Sequence, residues 1–131
     1  MVKTRKVFIS ASKEHDSWVR EFVRILSESG VDVWWDEEQI AVGEPFGDKL
    51  EEGLRTSDYM IMIVSPDSIE SPWFNFEMGA ALGRGSKIIP IVAKDVNWKD
   101  LPGPIRARRF LTMESPEESA EDVKEALAAA S

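Results

Sequence analysis

The sequence contains no cysteine and a single histidine, and these two shortages exclude several classes of chemistry. Without thiols there is no disulfide framework, no thiolate nucleophile and no cysteine zinc site, so a reducing compartment such as the cytoplasm is expected. A zinc site or a Ser-His-Asp triad would have to use His15, which we expect to be solvated in the segment SKEHD. We therefore expect neither a metal nor a resident cofactor.

Long hydrophobic runs are also missing, since the longest, MIMIV and IIPIVA, are far shorter than the roughly 20 residues that cross a bilayer. The N-terminus has no secretory signal, so neither export nor membrane insertion is expected. A formal net charge of -8 disfavours nucleic-acid binding. The basic cluster of Arg106, Arg108 and Arg109 is the exception, and we expect a solvated turn there rather than a polyanion site.

Short β-branched or aromatic runs alternate with amphipathic helical segments, a pattern typical of a parallel sheet wrapped by helices. The run MIMIV does not alternate with polar residues, which indicates a central strand covered on both faces. At 131 residues the chain is predicted to form one domain, residues 1–131. We expect this domain to be a module of a longer protein. The predicted strands are 6–10, 31–35, 59–64, 87–92 and, more weakly, 109–112.

Helical periodicity and end signals predict four helices between and after these strands. The third is marked by Ser71 as N-cap and Pro72 at the first helical position, and it should run to about Leu82. Right-handed crossovers favour a flavodoxin-like three-layer sandwich with strand order 2-1-3-4-5 and a ligand crevice at the carboxyl ends of the strands. The other helices are predicted at 16–29, with Gly30 as its stop, around Phe46, Leu50 and Leu54, and at 117–129.

Trp73 and Glu77 are one helical turn apart, so they share a helix face near this crevice. On spacing alone, a solvated Glu77 is the commoner outcome.

A phospho-accepting receiver domain shares the fold, but it needs acidic residues after its first and third strands. This chain has Ser-Ala-Ser at 10–12 and Ser-Pro at 65–66 in those places, which excludes a receiver domain. Because side chains of a strand alternate, at most one of Trp34 and Trp35 lines the crevice, and we favour Trp35.

Taken together, several segments resemble a Toll/interleukin-1 receptor (TIR) domain of the bacterial type. They are KVFISAS, a nearly continuous block from VDVWWDEE to FEMGAAL, and SKIIPIVAKD, which together cover most of residues 6–95. The block has the family's features in the family's order. They are the WWD sequence, the pair Gly43 and Phe46, the series Ser65, Ser68 and Ser71, and the spacing from Trp73 to Glu77.

The resemblance implies an enzyme that cleaves the bond between nicotinamide and ribose in NAD+, with Glu77 as the catalytic residue and NAD+ as substrate. It also implies that loop 36–46 mediates self-association with other TIR domains, in a homo-oligomer or filament when active. By their positions, the residues expected to bind the substrate are Ser10, Ser12, Trp35, Asp36, Phe46 and Trp73. The residues expected to carry self-association are Ile40, Gly43, Glu44 and Pro45.

One carboxylate can suffice for this reaction, because the nicotinamide of NAD+ is already a pyridinium and leaves neutral without an acid. Ala41 stands where some NAD-cleaving relatives have an acidic residue, and no residue decides between ADP-ribose, cyclic ADP-ribose and its isomers as product. Two other interpretations stay open. One is a scaffolding or adaptor TIR domain without turnover, and the other is an N-glycosidase acting on nucleosides or nucleoside monophosphates.

Overall fold

The computed structural model of the protein describes residues 6–11, 15–35 and 56–129, with the backbone but not the side chain of Trp73. The predicted helix around Phe46, Leu50 and Leu54 lies outside the described residues. The strands are β1 (Lys6–Ser10), β2 (Asp32–Trp35), β3 (Tyr59–Val64), β4 (Lys87–Val92) and β5 (Leu111–Thr112). The helices are α1 (Asp16–Glu28), α2 (Pro66–Glu70), α3 (Pro72–Gly83), α4 (Gly103–Arg106) and α5 (Pro116–Ala129), with a 3-10 turn at Trp98–Asp100.

The five strands form one parallel sheet in the order β2-β1-β3-β4-β5, which confirms the predicted flavodoxin-like topology. β3 lies at the centre, and all six of its residues are buried, as the uninterrupted apolar run predicts. β5 is two residues shorter than predicted because its pairing with β4 begins at Leu111. The short helices α2 and α4 were not predicted, since each has fewer than two turns of periodicity to detect.

Alternation along the strands divides the core into two parts, one on each face of the sheet. Val7 and Ile9 of β1 pack on the face covered by α1 and α5, where Phe22 and Val123 are fully buried. Phe8 points to the opposite face and packs with Phe74 and Met78 of α3, among others. The side chain that follows Phe8 by two positions therefore also points toward α3, and that residue is Ser10.

Gly30 ends α1 as predicted, with a φ of +91° that side-chain-bearing residues rarely adopt. Its Cβ position is open, with no described atom within 4 Å, so the strain of a substitution is conformational only. Gly30→Ala should destabilise the fold by about 1–2 kcal/mol. Gly79→Ala, inside α3 at a site equally free of described neighbours, should instead stabilise it by about 0.5–1 kcal/mol. Urea unfolding measures the change in the free energy of unfolding for each variant. A stabilised Gly30→Ala variant would contradict the role given to Gly30.

None of the helices in the part of the chain that the structure describes is long and apolar enough to span a membrane.

Candidate active site

Glu77 occupies a core-facing position of α3. The four residues Phe74, Glu77, Met78 and Ala81 follow the i, i+3, i+4, i+7 spacing of one helix face, and all four are buried. Only 2% of Glu77 is exposed, although a carboxylate is almost never fully buried without a partner. The spacing alone favoured a solvated Glu77, and that expectation is wrong because the side chain is buried.

The Ser10 hydroxyl donates a hydrogen bond of 2.9 Å to Oε1 of Glu77. Ser10 is the last residue of β1 and is itself 2% exposed. The bond joins residues 67 positions apart in the sequence, and it places the carboxylate at the carboxyl end of an inner strand. This is the edge of the sheet where parallel α/β folds bind their ligands.

Two serine caps in succession set the position of α3 after β3. Ser65 and Ser68 form a reciprocal capping box that starts α2, with bonds of 2.7 and 3.1 Å. Ser71 then caps α3 by accepting a bond from the Phe74 N–H, and Pro72 stands at the first helical position as predicted. Local sequence thus fixes where α3 begins, and with it the turn on which Glu77 lies.

The two tryptophans of β2 face opposite sides of the sheet, as predicted, but the preference for Trp35 as the crevice residue was wrong. Trp35 is 3% exposed and packs on the α1 and α5 face, with the Arg20 guanidinium 5.3 Å from its ring centre. Trp34 lies on the α3 face with Glu77, and its ring stacks on Phe8 at 4.7 Å. The strand register decides this, since Trp34 pairs with Phe8.

Several of the predicted site residues lie outside the described residues, so their predicted roles stay predictions. They are Ser12, Asp36, Phe46 and the self-association residues Ile40, Gly43, Glu44 and Pro45. The same holds for the side chain of Trp73, whose backbone is in the first turn of α3.

A family profile described as the TIR domain matches residues 7–127 of the sequence. The chain belongs to the TIR domain family. This TIR domain is 37% identical over 87 residues to the 2' cyclic ADP-D-ribose synthase AbTIR of Acinetobacter baumannii, a match covering 63% of this chain and 32% of that protein. It is 31% identical over 99 residues to the NAD(+) hydrolase TcpC of Escherichia coli, covering 72% of this chain and 32% of that protein.

Among solved structures, the TIR domain is similar to a metazoan TIR-STING receptor from C. gigas in complex with 2',3'-cGAMP. The TM-score is 0.78 at 25% identity, and the match covers 92% of this chain and 38% of that one. The match covers about a third of the length of each of the two curated relatives named above.

A cavity of about 230 Å³ lies at the carboxyl ends of β4 and β5 of the TIR domain, on the edge of the sheet predicted to hold the crevice, although none of its lining residues was a predicted site residue. Trp98 forms part of its lining, is 59% exposed, and carries the Arg106 guanidinium 5.7 Å from its ring centre. Lys94 is at the rim in a 3.1 Å ion pair with Glu114. The sequence feature that could have indicated Trp98 is its position as a lone tryptophan in the polar segment VNWKD. The cavity lies along the same edge of the sheet as Glu77.

Three further groups of polar residues in the described part of the TIR domain lie away from Glu77 in the sequence. The Arg108 guanidinium donates to the Pro104 carbonyl at 2.6 Å, and Arg109 is exposed, as expected for a solvated turn. His15, which we expected to be solvated, is half-buried beside the start of α1. On the outer surface of α1, the Arg24 guanidinium holds the pKa of the Glu21 carboxyl below its ordinary value through a hydrogen bond.

No group of three or more His, Cys, Asp or Glu that could hold a metal ion is found within residues 6–11, 15–35 and 56–129.

Proposed function

We propose that this TIR domain cleaves the N-glycosidic bond between nicotinamide and ribose in NAD+, with Glu77 as the catalytic residue. The observation that carries the proposal is the burial of Glu77, held by Ser10 at the carboxyl edge of the sheet. A buried acid that is not needed for packing costs stability, which suggests selection for its chemistry. The names of the relatives, an NAD(+) hydrolase and a 2' cyclic ADP-D-ribose synthase, support the same substrate.

The chemistry requires little besides this carboxylate. As nicotinamide leaves, positive charge develops on the ribose, and a fixed negative group in a site of low dielectric constant stabilises that charge more strongly than water would. The ribose cation is then captured by water, which gives ADP-ribose, or by a nucleophile of the same molecule, which gives a cyclic product. The position of that second nucleophile decides the product.

The cavity beside Trp98 supports a substrate that extends along the sheet edge. Pockets for whole ligands are roughly 300–1,000 Å³, so a cavity of about 230 Å³ suits a single ring system rather than a dinucleotide. Neighbouring strands are about 4.8 Å apart, so β4 and β5 end about 10–14 Å from β1. A substrate that occupied both places would therefore have to span about this distance.

Self-association belongs to the same proposal. With 2% of Glu77 exposed, a substrate reaches the carboxylate only when the covering residues move. We propose that the residues covering Glu77 move when TIR domains associate through loop 36–46 and form an oligomer or filament in the cytoplasm. Activity per molecule should therefore rise with protein concentration instead of staying constant.

Product analysis tests the proposal. The purified domain is incubated with NAD+ at several protein concentrations and with a crowding agent, and products are identified by mass spectrometry. We expect nicotinamide together with ADP-ribose or a cyclic isomer. CMP serves as the comparison substrate, since release of cytosine in place of nicotinamide would favour a nucleotide N-glycosidase. No product from either substrate in a demonstrably assembled sample would favour a scaffolding TIR domain.

A further inference from the structure

We propose that Ser10 is a positioning residue, which acts on the reaction through Glu77 and not by contact with the substrate. This inference rests on the proposed function. It differs from the sequence-based expectation for Ser10, which was direct contact with the substrate. The observation behind it is the 2.9 Å bond from the Ser10 hydroxyl to Glu77 Oε1, between two side chains that are each 2% exposed.

A glutamate needs such a partner to act as a fixed charge. Its terminal torsion is broad and roughly two-fold, so packing alone does not define the orientation of the carboxylate plane. The hydrogen bond from the Ser10 hydroxyl restricts that orientation, because it fixes the position of Oε1. Preorganised groups act best when they do not have to reorient during the reaction.

Ser10 is a rigid support because of where it lies in the sheet. It ends an inner strand, and in the register of the sheet it pairs with Met62 of the fully buried β3. Its Oγ is the donor of the pair, since an ionised carboxylate only accepts. Serine supplies that donor with the smallest side chain, next to an apolar cluster that includes Phe8 and Met62.

The closing experiment compares kcat and KM for nicotinamide release from NAD+ by the full chain and its variants, with assembly checked by light scattering. Ser10→Ala should lower kcat by about 10- to 100-fold, because misplacing a catalytic group by about 1 Å costs on that order. KM should stay within about twofold, since no substrate contact is lost. Ser10→Thr, which keeps the hydroxyl, should restore most of kcat.

Two further variants separate the hydrogen bond from packing. Ser10→Cys fills the space but is a weak donor, so it should lose kcat as Ser10→Ala does. Ser119 is the matched control. It is another buried serine, 1% exposed, whose hydroxyl accepts the Glu114 N–H at the start of α5 on the other face of the sheet. Ser119→Ala should lower stability but leave kcat unchanged.

A double-mutant cycle between Ser10→Ala and Glu77→Ala, measured by urea unfolding, reports on the bond independently of turnover. We expect a coupling of about tenfold or more in the unfolding equilibrium constant, as for hydrogen bonds to charged groups. Unchanged kcat in an active Ser10→Ala variant, or a loss that appears mainly in KM, would overturn the positioning role alone. An inactive assembled wild type would instead overturn the proposed function, and this inference with it.

Discussion

Replacing Glu77 with glutamine will reduce nicotinamide release from NAD+ by about 10²- to 10³-fold, the usual cost of removing one preorganised electrostatic group. Glutamine keeps the length of the side chain and an oxygen that accepts the Ser10 hydroxyl, so the buried site stays filled and bonded. The negative charge is what disappears, and with it the stabilisation of the ribose cation. The loss should appear in kcat with KM nearly unchanged, because the charge matters most in the transition state.

The matched control is Glu70→Gln. Glu70 is an exposed glutamate at the end of the neighbouring helix α2, and the same change of charge there should alter the rate by less than about twofold. Both variants should assemble like the wild type in light scattering. If Glu77→Gln releases nicotinamide as fast as Glu70→Gln, the carboxylate has no part in turnover. Turnover would then depend on another group of this TIR domain, and the assignment of Glu77 as the catalytic residue would be wrong.

Replacing Phe8 with alanine will destabilise the fold by about 3–5 kcal/mol, a large share of the roughly 5–15 kcal/mol that a domain possesses. Phe8 is fully buried in β1, and its ring stacks on Trp34 with the planes 13° apart. The truncation removes apolar burial and leaves a cavity in the cluster on which α3 packs. Urea unfolding followed by tryptophan fluorescence measures the effect, since Trp34 is a direct neighbour of the lost ring.

Phe76→Ala provides the comparison within the same residue type. Phe76 is 56% exposed on α3, next to Glu77 in sequence but on another face of the helix. We expect its truncation to cost well under about 1 kcal/mol, as for surface positions in general. Nicotinamide release by Phe8→Ala should fail at a temperature the wild type tolerates, because α3 loses part of its support. If Phe8→Ala and Phe76→Ala lowered the free energy of unfolding equally, Phe8 would not be part of the core beneath α3.

The sequence predicted the strands well, because apolar runs and helix caps depend on residues that are close together along the chain. Four of the five strands begin and end within one residue of their predicted bounds. The strand order followed from the alternation of strands and helices, since right-handed crossovers leave few arrangements. The start of α3 also followed from two adjacent residues, Ser71 and Pro72, whose capping role needs no tertiary contact.

The sequence by itself thus determined the fold, the family and the helix that carries the candidate carboxylate. Only the tertiary structure decided that Glu77 points into the core, that Ser10 holds it and that Trp34 shares its face while Trp35 does not. The bond between Ser10 and Glu77 joins two elements that are brought together by the pairing of β1 with β3 and the packing of α3 on the sheet. A periodic pattern shows that a strand alternates, but the packing of the sheet decides which of its faces meets which helix.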